Sequence, residues 1–301
     1  MKNTILPIAL ATAFAFGGIL SAEDKKQDKE LKQINEALPA KPTAKPSKKH
    51  KVLVYSKPSG FRHGSIPTGI KGLRAMAEKT GAFEATFTLE TKEFTVEGLK
   101  KYDAIIFNNT THVQKAFTEK AQRDAILNFI KEGKAFIGFH SASDGGMGGK
   151  NAWEAYTDMI GGCFAGHPWG SGGKWPFVVE DSKHPVNKAF KDKTFQFSDE
   201  IYQYKGYDRS KLRILVSLNE QKCLRKGKDG KLSPILGKRK DNDNPVSWVR
   251  DYGKGRIFYS NFGHNKATWM NAAMLQHFLD GIQWALGDLD GPSTSLPLRK
   301  K

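Results

Sequence analysis

The sequence predicts an α/β fold in which a mostly parallel, doubly wound sheet has helices on both faces and carries an antiparallel extension. From Lys51 onward, short β-rich runs alternate with segments whose apolar residues recur at helical spacing. Such alternation is typical of parallel sheets whose crossover connections are helices. Several strand-like runs then crowd together after residue 174, which indicates additional antiparallel strands.

The individual elements follow from this periodicity and from the residues that end them. Residues 67–79 are an expected helix because Leu73 and Met76 share one face with neighbouring apolar residues, and Gly81 would end it. Further helices are expected at 118–132 and 151–160, with a final one from about residue 267 to residue 286. Strands are expected at 51–55, 83–89, 102–108 and 134–139, and near 175–180, 212–218, 245–250 and 256–262.

Both ends of the chain are expected to lie outside the folded domain of residues 51–290. Residues 1–22 combine a positive start, an apolar run and small residues before a charged pair, as in a secretory signal peptide cleaved after Ala22. An uncleaved membrane anchor is the alternative. After cleavage we expect a periplasmic or extracellular protein without stable membrane insertion. Residues 23–50, rich in Lys and Pro, are expected to be a disordered linker, and residues 291–301 a disordered tail.

The composition narrows the possible functions. The 301 residues are 39% hydrophobic and 26% charged, which is ordinary for a globular protein. The net charge is +17, but 38 of the 48 basic residues are lysines, which favours solubility over nucleic-acid recognition, so no nucleic-acid partner is expected. The two cysteines exclude a disulfide-dense scaffold, and Cys163 is expected to be a buried thiol. Eight basic residues between Lys222 and Lys240 form either a solvated hairpin loop or a patch for an anionic polysaccharide.

Half of the eight histidines follow the ends of predicted strands. They are His63, His112, His140 and His264. A carboxylate pair, Asp199 and Glu200, lies in another loop. Ligands bind beyond the carboxyl ends of the strands in such sheets, so we expect these side chains to converge on one cleft.

Imidazole and carboxylate groups that meet in a cleft support two kinds of chemistry. They bind a divalent metal such as zinc, for which His63, His140 and His264 are the predicted ligands. They also act as general acids and bases, because histidine titrates near neutral pH, and the predicted catalytic residues are the same three histidines with Glu200. No compact metal motif is present, and each histidine could instead cap a strand end. We expect no nucleotide cofactor.

A second group of residues is predicted to bind the substrate. They are Arg62, Asp144, His167, Trp169 and Tyr202. Glycine density before His167 permits close backbone approach to a ligand, and Trp169 either stacks on a sugar ring or packs in the core. His112 either takes part in the site or lies in a solvated loop. His184 is expected to be structural, and His277 is expected at a packed or exposed position of the last helix.

The chain resembles the ThuA-like (trehalose-utilisation) family, whose fold is like that of the class I glutamine amidotransferases. The resemblance covers about residues 51–288. It rests on motifs in matching order, which are Phe61-Arg62-His63, GFHSASD at 138–144, GGCFAGHP at 161–168, His184-Pro185, DEIY at 199–202, PVSW at 245–248, YGKGRIFY at 252–259 and Gly263-His264.

The resemblance implies a flavodoxin-like sheet and a role in sugar metabolism. True amidotransferases place a nucleophilic cysteine at the strand-to-helix elbow where this chain has His140, and imidazole cannot form their thioester, so glutamine hydrolysis is not expected. The resemblance also implies a carbohydrate substrate, with 3-keto-glycosides as one class, and a lyase, hydrolase or isomerase reaction. A C3 ketone acidifies the C2 proton, which a base could remove while a divalent metal stabilises the enolate. A non-catalytic carbohydrate-binding or accessory protein on the same fold is the alternative.

Overall fold

The structure, a computed structural model, describes residues 22–148, 151–228 and 230–298. The signal peptide predicted for residues 1–22 lies outside the described residues apart from Ala22. The helices are α1 Ala22–Ala37, α2 Ile66–Thr80, α3 Val96–Leu99, α4 Val113–Ala116, α5 Lys120–Lys131, α6 Glu154–Ile160 and α7 Ala272–Leu286. The strands are β1 Lys51–Tyr55, β2 Glu84–Thr88, β3 Ala104–Asn108, β4 Ala135–Phe139, β5 Cys163–Phe164, β6 Trp175–Val179, β7 Thr194–Phe197, β8 Tyr204–Lys205, β9 Arg213–Leu218, β10 Leu224–Lys226, β11 Leu232–Pro234, β12 Pro245–Tyr252 and β13 Gly255–Ser260.

Within the described residues, nine strands form one sheet in the order β2-β1-β3-β4-β13-β12-β9-β6-β7. Neighbours from β2 to β13 are parallel. The steps from β13 to β7 are antiparallel. The predicted doubly wound sheet with an antiparallel extension is therefore confirmed. Two further pairs, β5 with β8 and β10 with β11, lie outside this sheet.

Hydrophobic layers cover both faces of the sheet. On one face, Leu73 of α2 and Phe278 of α7 pack in the same cluster as Val54 of β1. On the other face, Ile126 of α5 and Tyr156 of α6 pack with the strand residues that point the opposite way. Successive side chains of a strand alternate between faces, so the central strands contribute to both layers. Every residue of β3 and β4 is buried, which explains their continuous apolar runs.

The helices and strands predicted between residues 51 and 286 are present, with ends shifted by a few residues. The predicted last helix is divided into a 3₁₀ turn, Lys266–Met270, and α7. Asn271 separates the two because its backbone is extended and its side-chain oxygen accepts a hydrogen bond from the Met274 N–H. That bond satisfies one of the free N–H groups at the start of α7.

Residues 23–50 are not the disordered linker that the composition predicted. Helix α1 packs against α2, and Ile34 and Leu38 are 0% and 4% exposed. Farther along, the Thr43 N–H donates to Gln283 of α7 over 2.8 Å, and its hydroxyl donates to Asp280. Ile34 and Leu38 lie four positions apart, and so few apolar residues do not stand out in a Lys-rich segment.

Residues 291–298 also differ from the predicted disordered tail. Their backbone carbonyls accept hydrogen bonds from four side chains of the folded domain, which are Trp284, Arg213, Arg209 and His184. Trp284 donates to Gly291 over 2.9 Å, and Arg213 donates to Thr294 over 2.9 Å. Contacts that use backbone carbonyls leave no apolar pattern in the sequence, so composition could not reveal them.

The two cysteines are buried free thiols, as expected for Cys163. Burial raises the pKa of both, to about 12 for Cys223, and a protonated thiol is a poor nucleophile. In the described part of the chain, no helix has the length and apolar character needed to cross a membrane.

Replacing Ile34 by Ala tests whether α1 is part of the folded domain. The fully buried side chain leaves a cavity when truncated, so we expect the free energy of unfolding to fall by about 2–4 kcal/mol. Leu31→Ala, on the same helix but 40% exposed, is the matched control and should change it by less than about 1 kcal/mol. Urea unfolding measures both. Equal effects of the two substitutions would show that α1 does not pack as described.

Candidate metal centre

Three histidines and one glutamate from distant parts of the chain meet at one edge of the sheet. They are His63, His140, Glu200 and His264, and one possible ligand atom from each lies within 4.8 Å of the others. The His63 ring meets those of His140 and His264 edge to face, with centroids 4.8 and 5.1 Å apart. The structure thus brings together all four residues that the sequence analysis selected as catalytic.

The direction of the strands explains this convergence. His63, His140 and His264 follow β1, β4 and β13, which are parallel members of the sheet. Four antiparallel steps separate β13 from β7, so β7 points the same way as β13. Glu200 follows β7 and therefore reaches the same edge, where ligands of doubly wound sheets bind.

His140 occupies a sharp turn directly after β4. Its φ of +48° lies in the left-handed region, which is uncommon for a residue with a Cβ. The Tyr259 hydroxyl donates to the His140 carbonyl over 2.6 Å and holds this conformation. Backbone strain of about 1–3 kcal/mol is typical of functional sites, and here it directs a fully buried imidazole toward the cluster.

The hydrogen bonds of His140 define which ring nitrogen carries the lone pair that could bind a metal. Nδ1 lies 2.8 Å from the Asn261 carbonyl, which can only accept, so Nδ1 carries the hydrogen. Nε2 lies 2.8 Å from the Tyr202 hydroxyl. Burial raises the pKa of Tyr202 well above its ordinary value, so this hydroxyl stays protonated and donates to Nε2. A metal would therefore bind Nε2 in place of this hydrogen bond, after the Tyr202 hydroxyl turns away. Metal-binding histidines are commonly oriented in this way, through the nitrogen that faces away from the metal.

The buried carboxylate of Asp199 joins the loop of Glu200 to the loop of His264. Its Oδ2 accepts from the Gly263 N–H over 2.8 Å and from the Thr268 hydroxyl over 2.7 Å. Its Oδ1 accepts from the Asn265 N–H over 2.8 Å and from the N–H of the adjacent Glu200 over 3.0 Å. Burial raises the pKa of Asp199, while the four donors favour the carboxylate form. Gly263 has a φ of +132°, which only glycine adopts readily.

The electrostatics of the cluster favour cation binding. Burial lowers the pKa of His63 to about 2, and the neighbouring histidines lower it further, so the ring is neutral at physiological pH. Burial acts to raise the pKa of Glu200, but the hydrogen bond with His140 and the charges of His264 and His167 more than offset it, and the pKa is lowered. A neutral imidazole and an ionised carboxylate are the forms that bind metals.

The distances and donor types fit a divalent cation. Glu200 Oε2 lies 3.6 Å from His140 Nε2 and 3.7 Å from His264 Nε2. Ligand atoms in a tetrahedral site with bonds of about 2.0 Å are roughly 3.3 Å apart, so these side chains need only small movements. Imidazole nitrogens with a carboxylate oxygen suit zinc and other transition metals.

The cluster opens onto a cleft of about 390 Å³, a size common for small-molecule sites. The cleft is lined by Phe61, His63, Thr111, His112, Asp144, Phe164, His167, Glu200, Tyr202 and His264. His140 lies behind this lining and is fully buried. Three of the predicted substrate-binding residues, Asp144, His167 and Tyr202, therefore face the cleft. His167 is 54% exposed, and its Nδ1 lies 3.5 Å from Glu200 Oε1.

Two predicted substrate-binding residues lie elsewhere. Trp169 is fully buried, and its indole N–H donates to the Ile235 carbonyl over 2.8 Å, so it packs in the core and does not stack on a ligand. Arg62 is exposed and does not line the cleft, although its neighbours Phe61 and His63 do. Proximity in sequence to Phe61 and His63 was therefore not enough to place Arg62 in the cleft.

Sequence reasoning missed Asn261, which positions both His140 and Tyr202. Its carbonyl fixes the His140 ring, and its Oδ1 accepts from the Tyr202 N–H over 2.9 Å. The sequence feature that could have identified Asn261 is its position directly after β13, at the edge of the sheet where ligands bind. The aromatic lining residues Phe61 and Phe164 were also missed as site residues.

The three remaining histidines hold buried structural positions away from the cleft, and His50 Nε2 lies 3.0 Å from Asp288 Oδ1. His277 is fully buried on α7, where it contacts the Val186 carbonyl. His184 is buried, and its Nδ1 accepts from the Val186 N–H while Nε2 contacts the Pro292 carbonyl.

The fold and site together define a doubly wound α/β protein with an imidazole and carboxylate cluster at the carboxyl ends of its strands. The chain belongs to the ThuA family, described as trehalose utilisation, whose model matches residues 51–285. No curated protein matches the chain.

Solved structures share the fold at low sequence identity. A ThuA-like protein from Bacteroides uniformis is 21% identical with a TM-score of 0.63, and the match covers 81% of this chain and 94% of that one. A ThuA-like protein from Parabacteroides merdae is 18% identical with a TM-score of 0.57, covering 83% and 98%. A β-galactosidase from Rahnella sp. R3 is 11% identical with a TM-score of 0.51, and the match covers 80% of this chain but 32% of that enzyme.

Replacing Asp199 by Asn tests whether this carboxylate holds the two loops together. The amide would turn an N–H₂ group toward N–H or hydroxyl donors, so we expect the free energy of unfolding to fall by about 1–3 kcal/mol. Asp192→Asn, at an exposed position, is the control and should leave it unchanged within about 0.5 kcal/mol. Denaturant unfolding in the presence of a chelator measures both. Wild-type stability of the Asp199 variant would contradict the described hydrogen bonds.

Proposed function

We propose that the protein is an exported enzyme acting on a carbohydrate, in which His63, His140 and His264 hold a divalent cation and Glu200 moves a proton. Membership in a family described as trehalose utilisation supports a role in sugar metabolism. Export rests on the signal-like composition of residues 1–22. The observation that carries the proposal is the meeting of three imidazoles and a carboxylate within 4.8 Å beside a cleft.

The roles of the residues follow from their positions. A divalent cation held by the imidazoles supplies positive charge that stabilises negative charge developing on a substrate oxygen. Glu200 is ionised and lines the cleft, so it is placed to accept a proton from a substrate carbon. His167 lies 3.5 Å from Glu200 Oε1 and is partly exposed, so it is placed to pass that proton to a leaving group or to water.

A sugar with a ketone at C3 suits this arrangement. Glu200 removes the acidified C2 proton, and the electron pair of the C2–H bond forms an enolate with the ketone. In an elimination, the enolate electron pair forms a C1=C2 double bond as the C1–O bond breaks, and the leaving group takes a proton. In an isomerisation, the electron pair instead takes a proton at a carbon of the enolate. Asp144 offers a carboxylate on the cleft wall that can accept hydrogen bonds from sugar hydroxyls.

The substitution His140→Ala tests the role of the buried imidazole. Because it removes a ligand, we expect the metal affinity to fall by at least about tenfold. We also expect turnover of 3-keto-glycosides to fall by about 10²–10⁴-fold. Elemental analysis after gentle purification measures the metal, and product formation measures turnover.

His167→Ala is the matched control, since it removes a cleft imidazole that is outside the four-residue cluster. It should retain the metal content of the wild type and lose less activity than His140→Ala. Undiminished turnover in His140→Ala would remove His140 from the mechanism. Sugar binding by calorimetry with no product after long incubation would support the non-catalytic carbohydrate-binding alternative.

A further inference from the structure

A basic hairpin projects from the antiparallel half of the fold. We define it as residues 222–240, with strands β10 and β11 at its centre. All six strand residues are exposed. An isolated two-stranded hairpin is only marginally stable in water unless one face packs against something. Both faces of this ribbon are exposed to solvent. Binding to a partner would bury one of these faces and stabilise the hairpin.

One face of the ribbon is largely apolar. Leu224 is opposite Pro234, and Lys226 is opposite Leu232. Opposed residues of an antiparallel pair share a face, as do residues two apart on one strand. Leu224, Leu232 and Pro234 therefore lie together, and the two leucines are 47% and 65% exposed. Leu236, just beyond β11, is 54% exposed.

The base of the hairpin is firmly anchored. The Ile235 N–H donates to the Cys223 carbonyl over 2.7 Å, and the Cys223 side chain is buried. The Ile235 carbonyl accepts from Trp169, and the Lys238 N–H donates to Gln203 over 2.8 Å. Trp169 and Gln203 are close in sequence to His167 and Tyr202 of the cleft. These hydrogen bonds attach the base of the hairpin to the loops that form the cleft wall, so the apolar face has a fixed orientation.

The charge around the apolar face identifies the chemistry of the partner. Eight basic residues belong to the hairpin, which are Lys222, Arg225, Lys226, Lys228, Lys231, Lys238, Arg239 and Lys240. Asp229 is the only acidic residue in this stretch of sequence. Exposed leucines surrounded by lysines match a surface that offers negative headgroups above an apolar layer. A soluble polyanion would use the lysines alone and would leave the leucines in water.

We propose that the basic hairpin docks on the surface of an anionic lipid bilayer. Leu224 and Leu232 enter the boundary between headgroups and acyl chains, and the basic residues other than Arg239, which pairs with Asp241, contact the headgroups. This is peripheral binding and requires no membrane-spanning segment. It is independent of the reaction proposed for the cleft.

Sedimentation with lipid vesicles tests the proposal on the purified full chain. We expect binding to vesicles of phosphatidylcholine mixed with phosphatidylglycerol, weak binding to phosphatidylcholine alone, and loss of binding as salt is raised. The double substitution Leu224→Ser with Leu232→Ser should weaken binding by about tenfold or more, since both apolar side chains lose their burial in the lipid.

The matched control is Leu89→Ser with Val96→Ser. These residues are 51% and 66% exposed; Leu89 directly follows β2 and Val96 begins α3, both far from the hairpin in sequence, so the control should bind like the wild type. Every protein carries the same residues 1–22, so any lipid affinity of that segment is common to all. Equal binding by the two double variants would overturn the proposal. So would equal binding of the wild type to both vesicle types, or binding to dextran sulfate with none to anionic vesicles.

Discussion

The candidate site depends on two hydrogen-bonding centres that join loops far apart in the sequence. Asp199 accepts from Gly263, Asn265 and Thr268, which ties the loop after β7 to the loop after β13. Asn261 bonds both His140 and the backbone of Tyr202, which ties the turn after β4 to the same place. Because unpaired polar groups are costly when buried, these bonds leave the loops little freedom. The sheet brings the functional side chains to one edge, and these two residues fix their final positions.

Several residues of this site could be predicted from the sequence because the direction of the strands determines where the following side chains lie. Alternating strands and helices predict a parallel sheet, and side chains after parallel strands share an edge, so His63, His140 and His264 could be selected before any coordinates. Glu200 was harder to place from sequence, because it follows β7 in the antiparallel half of the sheet. Its strand points the same way as β13 only because the number of antiparallel steps between them is even. Asn261 was not found because an amide after a strand resembles any polar loop residue. Trp169 was ambiguous, since an indole packs equally well in a core and on a sugar.

The ends of the folded domain were the least predictable part of the fold. Composition identifies segments that cannot form a core of their own, and residues 23–50 and 291–298 fit that description. Both nevertheless lie on a surface that the rest of the chain has already formed. Ile34 enters a core built by α2 and α7, and Glu30 of α1 contacts Lys71 and Lys266, each over 3.2 Å. Docking of this kind uses few apolar residues, so the hydrophobic pattern that defines helices and strands elsewhere is absent.

The proposal stands or falls on whether His63, His140 and His264 hold one cation beside the Glu200 carboxylate. The most direct measurement is an anomalous difference map from crystals of the protein grown with zinc. We expect one strong peak at the cluster, about 2.0–2.1 Å from an imidazole nitrogen of each of the three histidines, with the Glu200 carboxylate beside it. A map with no peak among these side chains, or with the zinc bound only elsewhere on the protein, would contradict it.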